Sequence, residues 1–383
     1  MHIAQIHNEY KDLGGEDVVV AREKELLENA GHSVSQYIVS NKNVDTLSRK
    51  LKTAISLPYS YDQKDKMLAF LKVKKPEVVH VHNFLPILSP SVFYACKEVG
   101  VPVVLTIHNY RLICSNGLLY RDGNVCEKCI SKKWGFPAIK HGCYQDSSIT
   151  SIFPVLANGI HSSLDTWSKY IDKVIFLTEF SQNIFKRSHI QFTNEQMIVK
   201  PNFVKDRGYS YEKEDYFLYV GRLSEEKGII EIVNAFIDSG KPLRIAGEGP
   251  LSDMINTKIE KYPHIKLLGF QNQDELSELY LKAKALVTGS KMYETFGLII
   301  IEAFSFGTPV IAPNFGNVGS LVTTNIDGVL YDHLDASSLQ ESFEKFDFLD
   351  QEKLRKNARA TFEKNFTSGQ NLNQLEAIYK SVL

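Results

Sequence analysis

Short apolar runs rich in valine and isoleucine recur along the chain: HIAQIH, EVVHVH, PVVLTIH, KVIFLT, YFLYVGR, LRIAG, IKLLG, ALVTG and PVIAP. Polar-faced segments such as EDVVVAREKELLENAG, KGIIEIVNAFIDSG and LSDMINTKIEKY lie between them. Strands alternating with such helices predict an α/β protein built on parallel, doubly wound sheets. The alternation breaks at VKPNFVKDRGYSYEKEDY, residues 199–216, which is polar and holds a proline. We read it as the linker between an N-terminal domain, 1–202, and a C-terminal domain, 203–365. The closing segment, 366–383, reads as an amphipathic helix that packs back on the first domain.

Composition narrows the class without choosing it. The 383 residues are enough for two domains, each with its own core. An apolar fraction of 43% and a charged fraction of 23% are those of an ordinary soluble protein. The net charge of −1 gives no nucleic-acid signal. Residues 1–202 hold 24 Lys and Arg against 19 Asp and Glu, and 203–383 hold 20 against 26. A basic half beside an acidic one suits peripheral contact with an anionic membrane or a lipid diphosphate. No run of about 18 apolar residues predicts a membrane span. The opening MHIAQIHN reads as a first strand and not as a signal peptide, so a cytoplasmic location is expected, leaning at most on the inner face of a membrane.

In open sheets of this kind ligands bind in the loops at the carboxyl ends of the strands. Gly14 and Gly15 follow the first strand and precede a helix, where paired glycines and a helix N-terminus suit a phosphate. Their spacing is not that of a dinucleotide fingerprint, which lowers the case for an NAD enzyme. In YVGRLSEEKGI, Arg222 and Lys227 flank a loop from which both reach one diphosphate. IAGEGP, with Glu248, is another strand followed by a glycine turn. In MYETFGLIIIEAFSFGTP a helix predicted to start near Phe296 leaves the N–H groups of Thr295, Phe296, Gly297 and Leu298 as open donors. Glu294 lies beside them, and Glu302 sits inside an otherwise apolar helix. A carboxylate there is costly unless hydrogen-bonded, and the two hydroxyls of a ribose would satisfy it; a buried lysine or a backbone N–H would do so equally.

The ordered set of GG after strand one, LTIHN, VGRLSEEKG, GEGP and ETFGLIIIEAFSFGTPV resembles glycosyltransferase family 4, the retaining enzymes of the GT-B fold. That resemblance implies two Rossmann-like domains facing a central cleft, with the last helix crossing back onto the first. It implies that Glu302 binds the nucleotide ribose and that Glu294, with the backbone of Thr295 to Leu298, holds the donor sugar. Arg222 and Lys227 would neutralise the departing diphosphate, Gly15 would close over it, and His108 would lie near the reaction centre. Asn109 stands where many relatives have Asp. The implied function is transfer of a sugar from a nucleotide-diphosphate sugar, by family frequency a UDP-sugar, to a glycan or lipid-linked acceptor in surface polysaccharide synthesis. With Arg222, Lys227 and a helix N-terminus and no Asp-x-Asp at a strand end, the expectation is retaining transfer without a catalytic metal. A nucleotide-sugar epimerase, a phosphorylase and a non-enzymatic sugar-nucleotide sensor are the rival readings.

A cysteine-rich insert, residues 111–146, stands apart. Cys114, Cys126, Cys129 and Cys143 fall within thirty residues, two of them as Cys-x-x-Cys. A reducing compartment disfavours disulfides. Four thiolates could close a structural zinc site in a loop without an obvious core, with His141 able to replace one ligand. Four reduced thiols are the alternative. The nearby lysines are too few for a nucleic-acid surface.

Overall fold

The computed structural model describes residues 1–11, 14–210, 212–333, 335 and 337–383; Tyr211 of the expected linker lies outside the described residues. The chain divides into two compact units. The first comprises Met1–Leu119, Cys126–Pro201 and Asn371–Leu383, and the second Tyr120–Val125 and Asn202–Gln370.

Unit 1 begins with β1 (His2–Glu9), α1 (Gly15–Asn29), β2 (Ser33–Ser40), α2 (Leu47–Ser56), α3 (Tyr61–Lys74), β3 (Val78–Val81), α4 (Ser91–Val99) and β4 (Val103–Ile107). The long insert follows, with the hairpin β5 (Tyr120–Arg121) and β6 (Asn124–Val125), then α5 (Phe136–Lys140), α6 (Ser148–Ser163) and α7 (Thr166–Tyr170). The hairpin groups with unit 2, although it lies inside the stretch expected to decorate the first domain. The sheet is completed by β7 (Lys173–Phe176), α8 (Glu179–Lys186) and β8 (Met197–Val199). Its order is β2-β1-β3-β4-β7-β8, all parallel. Ile3, Val78, Val104 and Ile175 from four strands pack with Leu375, Ile378 and Tyr379 of the last helix, α16 (Ser368–Lys380).

Unit 2 runs β9 (Phe217–Val220), α9 (Ile229–Ser239), β10 (Leu243–Ala246), α10 (Ser252–Ile259), β11 (Ile265–Gly269), α11 (Gln273–Lys282) and β12 (Ala285–Val287). It continues with α12 (Leu298–Ser305), β13 (Val310–Pro313), α13 (Gly316–Leu321), β14 (Gly328–Tyr331), α14 (Ser338–Phe348) and α15 (Gln351–Asn365). The strand order is β11-β10-β9-β12-β13-β14, again parallel. The chain winds outward from β9 in one direction and then, from β12, in the other. The topological switch point therefore lies between β9 and β12, where a doubly wound sheet leaves a crevice at its carboxyl edge.

All nine apolar runs form strands. β2, β8 and β14 were not anticipated. All three lie at sheet edges, and the residues of β2 are mostly half-exposed, so it carries no continuous apolar run.

Candidate functional site

Backbone packing shapes the carboxyl edge of unit 2. Gly228 lies at φ +67°, and a Cβ there would sit 1.9 Å from the carbonyl oxygen of Gly289. Gly247 lies at φ +136°, and a Cβ there would come within 2.0 Å of the Gly221 oxygen. Glycine at these positions lets the loops after β9, β10 and β12 press main chain against main chain. Gly221 N–H donates to Ala246 O at 3.1 Å and Leu223 N–H to Glu248 O at 3.0 Å. The loops beside the switch point are thus held on a rigid frame.

Across that frame the Lys227 ammonium, from the loop after β9, donates to Glu294 Oε1, from the loop after β12, at 2.9 Å. Burial pushes the Glu294 carboxyl upward, but the Lys227 charge and hydrogen bond and the Ser290 hydroxyl outweigh it, and the carboxyl titrates below its ordinary value. Both residues were expected to meet a ligand separately; here they meet each other. Asn317, fully buried, donates to the Glu294 carbonyl and fixes the backbone of the loop. Arg222 is exposed, its carbonyl accepting from Tyr219 Oη at 3.1 Å, and its guanidinium makes no ion pair among the described residues.

The helix after Glu294 starts two residues later than expected, at Leu298, because Gly297 takes φ +131° and caps it. Among the described residues no acceptor is bonded to the N–H groups of Phe296, Gly297 and Leu298, so the positive end of α12 presents open donors beside the Lys227–Glu294 pair. Glu302 is partly exposed and not enclosed in the core, which corrects the premise of a buried charge. Its Oε2 accepts from Tyr280 Oη at 3.4 Å, and Tyr280 stacks on Phe306. Glu248 is exposed and reaches away toward β11, accepting from Phe270 N–H at 3.4 Å.

In unit 1 the carboxyl ends of β1, β3 and β4 carry a buried polar cluster. His82 Nδ1 faces His108 Nε2 at 3.0 Å, so one of the two nitrogens holds the proton and the other accepts it. Burial lowers the His108 imidazole to about 3, with Glu23 opposing and His7 and Lys200 reinforcing. It lowers His80 and His82 well below the usual range as well. All three rings are therefore neutral near pH 7. Behind them Lys200 Nζ donates to Glu23 Oε1 at 3.0 Å, with both side chains 1% exposed. Burial alone would raise the Glu23 carboxyl, but Lys200 and then His82 bring it below its ordinary value.

Glu23, His80 and His82 have ligand atoms within 4.8 Å of one another, as a metal site would. Here the donors are engaged otherwise. His80 bonds Tyr379 Oη and Thr106 Oγ1, both at 2.8 Å, and the Lys200 ammonium takes the cation position against Glu23.

The glycine pair after β1 is arranged differently from the expectation. The Gly14 N–H donates to Asp17 Oδ2 at 2.7 Å, closing a capping box, and Asp17 Oδ1 lies 2.7 Å from His7 Nε2. Gly14 has φ −113°, a conformation open to any residue, and Gly15 is exposed at the first turn of α1. Glu16 next to it is buried, accepts from Tyr10 Oη at 2.8 Å, and is pushed by burial up to about 8.

The four cysteines of the insert are near neighbours: burial first, then Cys114, Cys126 and Cys143, raise the Cys129 thiol to about 11. They are not drawn into a ligating arrangement. Among the described residues no three of their sulfurs lie within 4.8 Å of one another, whereas a closed tetrahedral site places sulfurs about 3.8 Å apart.

Glu23, Lys200, His80, His82 and Asn317 escaped the sequence reading. EVVHVH held a usable signal, since two histidines at alternate positions of an apolar strand share one face. Lys200, before a proline in the linker, held none.

Residues 203–364 match the family model described as Glycosyl transferases group 1. An uncharacterized glycosyltransferase of Methanocaldococcus jannaschii is 25% identical over 281 residues, which is 70% of this chain and 65% of that protein. The chain spans less than two thirds of the length of the first curated relatives it matches. Among solved structures, sucrose-phosphate synthase from Thermosynechococcus elongatus superposes with a TM-score of 0.71 at 18% identity, covering 99% of this chain and 98% of that one. Anabaena HepE, solved in complex with UDP, gives 0.70 at 15% identity with full coverage of both chains. No described helix is long and apolar enough to cross a membrane. The chain has the GT-B fold, and its residues 203–364 are similar to the glycosyl transferases group 1 family.

Proposed function

We propose that the protein is a retaining glycosyltransferase that moves a sugar from a nucleotide-diphosphate donor, a UDP-sugar, to a glycan or lipid-linked acceptor without a catalytic metal. The observation that carries this reading is the Lys227–Glu294 pair spanning the switch point beside the open N–H donors of α12. A diphosphate entering there meets the ammonium, the exposed Arg222 guanidinium and the helix N-terminus, which together offset the charge that develops as the leaving group departs. Glu294, released from Lys227, accepts from sugar hydroxyls, and Glu302, about one turn along α12, accepts from the ribose.

In the step itself the bond from the anomeric carbon to phosphate oxygen breaks. The bond to the acceptor oxygen forms on the same face, and the acceptor proton passes to the departing diphosphate. To His108, neutral and held by His82, we assign the orientation of a substrate hydroxyl. HepE, of the same fold, was solved with UDP, which supports the choice of base.

Thermal-shift measurements against UDP-, GDP- and ADP-sugars test this: a UDP-sugar is expected to raise the melting point, and Glu302→Ala to abolish the rise in a folded protein. Product analysis separates transfer from epimerisation and phosphorolysis. A chelator is expected to leave turnover intact; collapse with restoration by magnesium or manganese would overturn the metal-free mechanism.

For the cysteine quartet we propose a structural zinc ion. Elemental analysis of the purified protein should find close to one zinc per chain, and a metal-free protein of unchanged stability would sink the assignment.

A further inference from the structure

Arg111, in the loop after β4, carries a charge that unit 1 does not neutralise. Its main chain is fixed on both sides: Asn109 Oδ1 accepts from its N–H at 3.0 Å, and Asn158 Nδ2 donates to its carbonyl at 2.6 Å. Its guanidinium carbon stands 5.0 Å from the centre of the Tyr10 ring, a cation–π contact that leaves the N–H donors of the fork unspent. Among the described residues that guanidinium makes no hydrogen bond and no ion pair. Arg49, Arg187, Arg207, Arg244 and Arg359, by contrast, each meet a carboxylate within 3.1 Å.

The carboxyl group nearest in kind does not answer it. Glu16 is 9% exposed, and its Oε2 accepts from Tyr10 Oη at 2.8 Å. Its Oε1 is buried and has no hydrogen bond among the described residues. Burial, helped by Asp17, pushes the acid up to about 8 against the opposing pull of Tyr10, Arg111 and Asn109. Near pH 7 it is therefore mostly neutral. Tyr10 stands between the two groups, its ring against the guanidinium and its hydroxyl on the carboxyl, with Asn109 Nδ2 donating to that hydroxyl at 3.2 Å. An ionised Glu16 would cancel the Arg111 charge; a neutral one leaves it for a ligand.

Arg111 also lines a cleft with His82, Asn83, His108 and Asn109, at the carboxyl ends of β3 and β4. A planar fork there matches the paired oxygens of a carboxylate or a phosphate.

We propose that Arg111, backed by Tyr10 and Glu16, is an anion subsite of unit 1 that takes a carboxylate or phosphate group of the acceptor. The identity of the ligand rests on the transferase reading, which places the acceptor beside His108. The acceptor is accordingly acidic, and its charge comes from a uronic acid or from a phosphate.

Anion titration of the full chain tests this in an Arg222→Gln/Lys227→Met background, where the donor loop has lost its cations. Sodium glucuronate and inorganic phosphate are added at constant ionic strength and followed by calorimetry. At least one should bind, and Arg111→Gln should weaken it by about tenfold or more. The tighter probe names the source of the charge, and either upholds the subsite. Glu16→Gln should bind as its parent does at pH 7. Glucuronate keeps its charge from pH 7 to 9. Over that range affinity should fall in the parent, as Glu16 ionises, and hold in Glu16→Gln. His7, Tyr10, Asp17 and Arg111 face Glu16 in both proteins, so the difference between them isolates the one acid.

Binding of neither probe, binding that survives Arg111→Gln, or the same pH dependence with and without Glu16 overturns the subsite. Should Arg111→Gln fail to fold, the comparison of the parent with Glu16→Gln decides alone. With the donor loop intact, UDP-sugar stabilisation should survive Arg111→Gln. Its absence from wild type, with Arg111-dependent anion binding present, would sink the donor reading and leave the subsite standing.

Discussion

Replacing Lys200 by methionine removes the cation from the most enclosed ion pair of unit 1. The Lys200 ammonium and the Glu23 carboxylate are 3.0 Å apart and each is 1% exposed. At an effective dielectric of about 20, unit charges at that distance attract by roughly 5 kcal/mol. Deleting one partner leaves the other charge buried, a loss of about 3–5 kcal/mol in comparable cases. That is a large part of a domain stability of about 5–15 kcal/mol.

Lys200→Met should therefore shift the unfolding transition of unit 1 strongly and leave that of unit 2 in place. Glu23→Gln should cost less than Lys200→Met only to the extent that the stranded ammonium finds water. In Glu23→Gln/Lys200→Met no charge remains, and the double mutant should be more stable than the sum of the singles by about 2 kcal/mol or more. Urea titration followed by circular dichroism, fitted with two transitions, gives these energies. The same variant has a second readout. Glu23 Oε2 lies 3.5 Å from His82 Nε2, and Lys200 lowers the His108 imidazole. Without Lys200 the uncompensated carboxylate should draw a proton onto the His82–His108 pair, moving its titration upward in a histidine NMR experiment. A Lys200→Met protein within about 1 kcal/mol of wild type, with additive singles, would refute the ion-pair argument.

Three further outcomes are expected. His80, His82 and His108 have folded-state values below the unfolded one, so the unfolded chain binds more protons below about pH 6.5; stability should fall with pH there by about 1.4 kcal/mol per unit for each neutral histidine, and a melting point flat between pH 7 and 5 would contradict it. Gly247→Ala, which forces a Cβ to within 2.0 Å of the Gly221 oxygen at φ +136°, should destabilise unit 2 by at least about 2 kcal/mol in urea denaturation, and a neutral result would mean the loop frame yields. Lys227→Met strips Glu294 of the partner that holds its carboxyl below the ordinary value, so that carboxyl should titrate higher, and calorimetry should find UDP bound at least about tenfold more weakly; unchanged affinity would remove Lys227 from the diphosphate site.

Much of the fold was legible because period and apolar runs are local properties. Nine strands could be read from the chain alone; Arg222 and Lys227 follow β9 and Glu294 follows β12, as the strand-end rule expected, while Glu302 lies within α12. What failed did so where burial or hydrogen bonding in the folded chain, and not residue type, decided the outcome. Edge strands such as β2 are half-solvated, so burial leaves no continuous apolar run in them. Gly14 looked like a phosphate loop, but its N–H is already taken by Asp17.

By itself the sequence determined the alternation of strands and helices, because each needs only its own spacing of apolar residues. It also placed the residue types at the strand ends. Tertiary structure alone decided that Lys227 pairs with Glu294 across a switch point, that Lys200 comes from 177 positions away to neutralise Glu23, and that α2 turns its aliphatic residues outward. Charge pairing and the choice of which face is buried are properties of the assembled neighbours, and no window along the chain contains them.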